Sequence, residues 1–249
     1  MKKMILWGVV VGLVVLILAA TITVAFFLDG IVKKGVEAVG PKITGVSIKL
    51  DEMHIGLLTG SARVKGLLVG NPDGYKTPSA ISVGLAEVGV DPFSVFSDKI
   101  VIRSIVVEAP EITFEGGLGA NNLGKIMENV NSVAQAGGPP STNTTTKAAA
   151  KPAKKFEVDD FLITGAKVHI SLTGIGGKEI TLPLPEIHLT NLGKDGAGIT
   201  ATDLTRRTLN ALTTATAKVV SKAITDLGRN AANMGVSKIK NGLGGLFGN

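Results

Sequence analysis

Three histidines, two pairs of adjacent carboxylates and one glycine-rich loop are the residues whose types could do chemistry. His54, His169 and His188 are too scattered for a metal cluster. His169 and His188 fall on neighbouring predicted strands, but without carboxylate company a structural role outweighs ligation. Asp51-Glu52 and Asp159-Asp160 lie on predicted strands, so the side chains of each pair point to opposite faces and cannot act as a catalytic pair. Glu115-Gly-Gly-Leu-Gly-Ala120 precedes a predicted helix like a phosphate-cradling loop. Its spacing matches neither the P-loop nor the dinucleotide fingerprint, and no Gly-Lys-Ser/Thr follows. No Ser sits in a nucleophile elbow, and the chain has no Cys, which removes thiolate catalysis and Cys-based zinc. The expectation is a non-enzymatic protein with no catalytic, metal-binding or cofactor-binding residues and no cofactor.

Composition points the same way. The 249 residues are 45% apolar and only 18% charged, with 4% aromatics and 32 Gly. Mean hydropathy is +0.35, which excludes a largely disordered chain. The net charge of +6 comes from the ends and a linker, while the middle is mildly acidic. Residues 203–249 alone hold 7 basic against 2 acidic groups. A nucleic-acid-binding face would concentrate Lys and Arg with stacking aromatics on the folded body, so no nucleic acid is expected.

Ile5 through Leu28 carries no charged side chain and follows Lys2 and Lys3 in a short tail, residues 1–4. As a helix this run of 24 residues spans about 36 Å, enough to cross a bilayer with some tilt. It is longer than the apolar region of a cleavable signal, so residues 5–28 are read as an uncleaved single-pass anchor. The short N-terminal tail favours a body outside the cytoplasm. Gly8 and Gly12 form a GxxxG pair, the spacing that lets two such helices approach closely and dimerise.

Beyond the anchor the chain reads mostly as strand. Val46, Ile48 and Leu50 alternate with polar residues; after Glu52 the apolar set moves to Met53, Ile55 and Leu57. This predicts a strand with one buried face, its phase reset by a bulge at Asp51-Glu52. Further strands are predicted over 62–70, 80–90, 99–115, 156–173 and 178–191. Asn71-Pro72-Asp73-Gly74 fits a type I turn. Pro110 marks an edge or bend, after which Ile112 and Phe114 resume the alternation begun by Ile105 and Val107. Leu123, Ile126, Met127 and Val130 predict an amphipathic helix over 121–136. Residues 137–155 are a low-complexity Pro/Thr/Ala/Lys insert containing an Asn143-Thr-Thr145 sequon.

Thr200 to Asp203 resembles a capping box, opening a basic amphipathic helix over 203–230 before a Gly-rich tail, 231–249. Its stripe is read as Leu204, Thr208, Ala211, Leu212, Ala215, Val219, Ala223 and Leu227. The body thus divides into an N-terminal β-rich part (29–136), the insert, and C-terminal strands (156–202). The fold class is α+β: an N-terminal transmembrane helix, then a mostly antiparallel, curved β-sheet with two amphipathic helices.

Three segments carry a family resemblance. They are Val46-Ser-Ile-Lys-Leu50 leading to Gly66-Leu-Leu-Val-Gly-Asn-Pro-Asp-Gly74; Ile100 through Ala109-Pro110-Glu-Ile112; and Gly119-Ala-Asn-Asn-Leu123. With the apolar N-terminus, they make roughly residues 1–215 resemble the AsmA-like proteins of the bacterial envelope. The resemblance implies an inner-membrane-anchored periplasmic body with a curved, apolar-lined sheet and a part in phospholipid movement or outer-membrane homeostasis. Phospholipid, a second copy or an envelope protein would be its partners. Val46, Ile48, Leu50, Ile105, Val107, Ile112 and Phe114 line the apolar face, as core or as a lipid-facing surface. The chain is shorter than the long relatives that build a groove across the envelope. The Asn-Pro turn also resembles the LEA-type β-sandwich, a binding or scaffolding module, which is the alternative.

Overall fold

A computed structural model describes residues 28–138, 154–171 and 180–244, without the side chains of 227 and 230–244. The described chain is α+β, with one open mixed sheet and three helices, α1 (28–44), α2 (Asn122–Gln135) and α3 (Ala201–Gly244). The strands are β1 (Ile48–Lys49), β2 (Glu52–Gly56), β3 (Ser61–Val69), β4 (Ile81–Val90), β5 (Lys99–Glu108), β6 (Glu111–Glu115), β7 (Lys155–Thr164), β8 (Lys167–Ser171), β9 (Ile180–Pro183) and β10 (Ile187–Leu192). All belong to one sheet, so the described strands do not form a two-sheet sandwich.

These short strands amount to six long ones in sequence order. β1–β2 runs antiparallel to β3, β3 to β4, and β4 to both β5 and β6. β5–β6 then runs parallel to β7–β8 in one unbroken register, from Lys99↔Lys155 to Glu115↔Ser171. β9–β10 closes the series antiparallel to β7–β8. A parallel pair needs a crossover, and α2 lies on the connection between β6 and β7.

The ladders pause at one level across the sheet. Between the flanking partners, Asp51, Gly66, Gly84, Ala109, Gly165 and Pro185 fall in a transverse row. Gly66 (φ 62°), Ala109 (φ 45°) and Gly165 (φ 66°) have left-handed backbones there. At Gly66 a Cβ would stand 2.0 Å from the Asp51 carboxylate, so the close approach itself requires glycine. Ala109 adopts the conformation at a cost of about 1–2 kcal/mol, with its N–H donating to Thr164 O at 2.8 Å. Each strand changes phase at this crease. The phase reset read at Asp51-Glu52 is its first instance, and the apolar residues remain on one face on both sides.

Three local readings are corrected. Residues 28–44, read as the last of the anchor and the start of the β-rich body, form α1. Gly30, Gly35, Gly40 and Pro41 speak against a helix, but tertiary contacts override weak propensity. The helix also continues to Gly244 through much of the segment read as tail. Finally, α3 buries Leu209, Leu212, Thr216 and Val220, while Ala211, Ala215, Val219 and Ala223 flank them half-buried. The true stripe is rotated toward Leu209, the larger side chain. The N-cap is as read: Thr200 Oγ1 accepts from Asp203 N–H at 3.0 Å and donates to its carboxylate at 2.8 Å.

The two edges of the sheet are finished differently. α1 lies along β1–β2, where Asp29 accepts the Ile55 N–H at 2.8 Å and Glu37 the Leu50 N–H at 3.0 Å. Lys33 Nζ donates to Asp51 O at 2.8 Å. On the opposite edge the Leu184 N–H points inward to Ala166 O at 2.8 Å. The nitrogens of residues 183 and 185 therefore point outward, and both residues are proline.

Candidate functional site: the apolar sheet face

One face of the sheet is apolar on all six long strands. α2 and α3 pack over β6, β7 and β10. There Ile112 (0% exposed), Phe114, Val158, Val168 and Ile170 join Leu123, Ile126 and Val130 of α2 and Val220 of α3 in the core. Toward β2, β3 and along β4 and β5 the same face carries the half-buried Met53, Ile55, Val64, Val88, Ile105 and Val107 beside the buried Ala86 and Ile102. The seven residues read from sequence therefore divide. Val46, Leu50, Ile112 and Phe114 are buried, whereas Ile48, Ile105 and Val107 are half-buried. Gly8 and Gly12 lie outside the described residues, as does the 5–28 run except Leu28. Among the described residues no helix is long and apolar enough to cross a membrane.

A polar staple holds α2 over the closed part of this face. Asn122, fully buried, donates to Asn71 Oδ1 and Thr113 O at 2.8 Å each and accepts the Glu115 N–H at 3.0 Å. Asn71 in turn donates to Thr77 O (2.8 Å) and Thr77 Oγ1 (2.6 Å). The Glu115 carboxylate accepts the N–H groups of Lys76 and Thr77 and the Thr77 hydroxyl, at 2.6–2.8 Å. Burial pushes Glu115 up, but the Thr77 hydroxyl and the two backbone N–H donors outweigh it and hold the carboxyl below its ordinary value. Asn121 caps the helix by accepting the Gly124 N–H at 2.8 Å. The Asn-Pro turn and the Asn-Asn-Leu helix start, far apart in the sequence, thus meet through Asn71 and Asn122. The loop at Glu115–Ala120 serves this strand-to-helix junction.

The opposite face is polar and laced with exposed ion pairs, Arg63 to Glu87 at 2.6 Å and Lys65 to Glu52 at 3.1 Å. The histidines are separate. His54 faces Asp29 at 3.5 Å, His188 bonds Asp160, and His169 bonds Thr181 Oγ1 at 3.0 Å on a different strand pair from His188. Asp159 instead faces Lys194 at 3.7 Å. Among the described residues no three His, Asp or Glu side chains gather in metal-binding reach. The arrangement offers apolar contact along a strip of sheet.

Sequence reasoning missed one exposed cluster. Phe93 and Phe96, in the turn between β4 and β5, are 86% and 87% exposed, and Leu58 in the β2–β3 hairpin is 89% exposed. The signal was present: two of eight Phe in an aromatic-poor chain sit in the Asp91–Asp98 turn. Comparison with protein-family models, curated proteins and solved structures finds no match.

Proposed function

We propose that this chain is a membrane-anchored, non-enzymatic envelope protein of AsmA-like character, its body in the periplasm, that holds phospholipid acyl chain against its sheet. The observation that carries the reading is the gradient of burial along one apolar face, complete under α2 and half at Met53, Val64, Val88, Ile105 and Val107. An acyl chain needs only apolar area, and at about 25 cal/mol per Å² one chain contributes several kcal/mol. The uncharged 5–28 run supports the anchor and the motif segments support the family character. The role read for this sheet is local holding or hand-over of lipid, with a second copy or envelope protein extending the apolar track.

The test is mass spectrometry of lipid retained by the full chain extracted in mild detergent. Wild type is expected to retain phospholipid, and Val107→Asp to lose it while keeping its circular dichroism and melting cooperativity. Absence of lipid from wild type, or equal retention by the variant, defeats the reading.

A further inference from the structure

The sheet has two ends, and they differ in what they expose. At one, Phe93, Phe96 and Leu58 stand almost fully in solvent. Single exposed apolar residues are ordinary, but a cluster of large ones calls for a partner.

The cluster is built. The Val90 N–H donates to Gly60 O at 2.6 Å, which ties the β2–β3 hairpin to the β4–β5 turn. A Cβ on Gly60 would stand 2.9 Å from the Pro92 ring, so the two turns pack directly. Asp91 accepts the Phe93 N–H at 2.9 Å and is pinned by Arg103 at 3.0 Å. The Arg103 bond, then the Phe93 N–H, holds its carboxyl below the ordinary value. Lys154 Nζ clamps the turn from the other side, donating to Val95 O at 2.6 Å and Ser97 O at 2.8 Å. Both phenylalanines are thus presented to solvent by a hydrogen-bonded turn.

The N-terminal run leaves the body at this same end. Asp29, the second described residue of α1, bonds the Ile55 N–H beside the hairpin that carries Leu58, and in the sequence the uncharged run ends at the adjacent Leu28. If 5–28 spans the bilayer, this end of the sheet sits at the headgroups. We propose that Phe93, Phe96 and Leu58 form a tip that inserts into the interfacial layer of the bilayer holding the 5–28 segment, with Lys154 beside them at headgroup level. Phe and Leu side chains bury at the boundary between headgroups and acyl chains, and lysines keep their ammonium at the headgroups. Two contacts, span and tip, would fix the tilt of the sheet over the membrane. The inference rests on the anchor reading under Proposed function.

The experiment uses the full chain in phosphatidylethanolamine/phosphatidylglycerol vesicles, with and without brominated acyl chains that quench tryptophan. Native Trp7 reports on the anchor. In a Trp7→Phe background, Phe93→Trp and Phe96→Trp report on the tip. Leu118→Trp reports on the other end, where Leu118 is 51% exposed. The expected result is blue-shifted, bromolipid-quenched emission at positions 7, 93 and 96, and water-like unquenched emission at 118. Quenching at 7 without quenching at 93 and 96 overturns the tip and leaves the anchor standing. Blue-shifted but unquenched emission at 93 and 96 means burial against a second copy and overturns it as well. No quenching at position 7 removes the anchor and the tip with it.

Discussion

On β6 and β8, Ile112, Phe114, Val168 and Ile170 lose nearly all contact with water, whereas Ile105 and Val107 on β5 share their face and stay half-buried. The residue types and the alternation are the same in both places. What differs is the cover: α2 lies over one region, held there by Asn122, and the other region keeps access to water. Alternation in a strand therefore fixes which way a side chain faces; the fate of that face depends on a helix placed by polar contacts far away in sequence.

The widest test of this contrast is a pair of truncations. Ile112→Ala should destabilise by about 3–5 kcal/mol and Ile105→Ala by less than half as much, since the penalty follows burial and residual cavity. Urea unfolding of the two variants measures it, and equal losses would mean that both regions are closed core.

Next comes the staple. Asn122→Ala strips partners from Asn71, Thr113 and Glu115 and should cost about 2–3 kcal/mol. If the staple is what seats α2, the variant should also bind a hydrophobic dye more strongly than wild type below its unfolding transition. Unchanged dye binding would show that α2 is seated by its apolar face alone.

The smallest effect is in pH. Because the folded Glu115 carboxyl lies below its ordinary 4.5, its contribution is fully present above that value. It is lost as pH falls through the lower folded value. Glu115→Gln should therefore flatten the acid limb of the stability profile measured between pH 5 and 3, leaving the neutral region displaced by a constant amount. An acid limb of wild-type steepness would remove Glu115 from the staple's electrostatics.

Much of the sheet was legible because alternation is local. The phase reset after Asp51, the Pro110 bend and the helix around Leu123 all follow from neighbouring residues. The parallel pairing of β5–β6 with β7–β8 was not legible, since its partners lie on either side of a long insert and nothing local encodes the register. The helix α1 was hidden for a related reason: its glycines and Pro41 weaken the local signal, while its stabilising bonds go to Leu50, Asp51 and Ile55 on another element. As for the candidate site, the sequence named the apolar residues without saying which α2 would close over, and it passed over Phe93 and Phe96.

The two finished edges have a consequence for assembly. A β-sheet polymerises by adding strands to its rim, where unpaired backbone groups template the next chain. Here one rim is terminated by Asp29, Lys33 and Glu37, which occupy its backbone groups, and the other by Pro183 and Pro185, which offer no donor. Strand addition is therefore disfavoured at these positions on both rims. A longer apolar track made from several copies gains no ladder hydrogen bonds at these positions, which favours joining through faces, helices or the shared membrane.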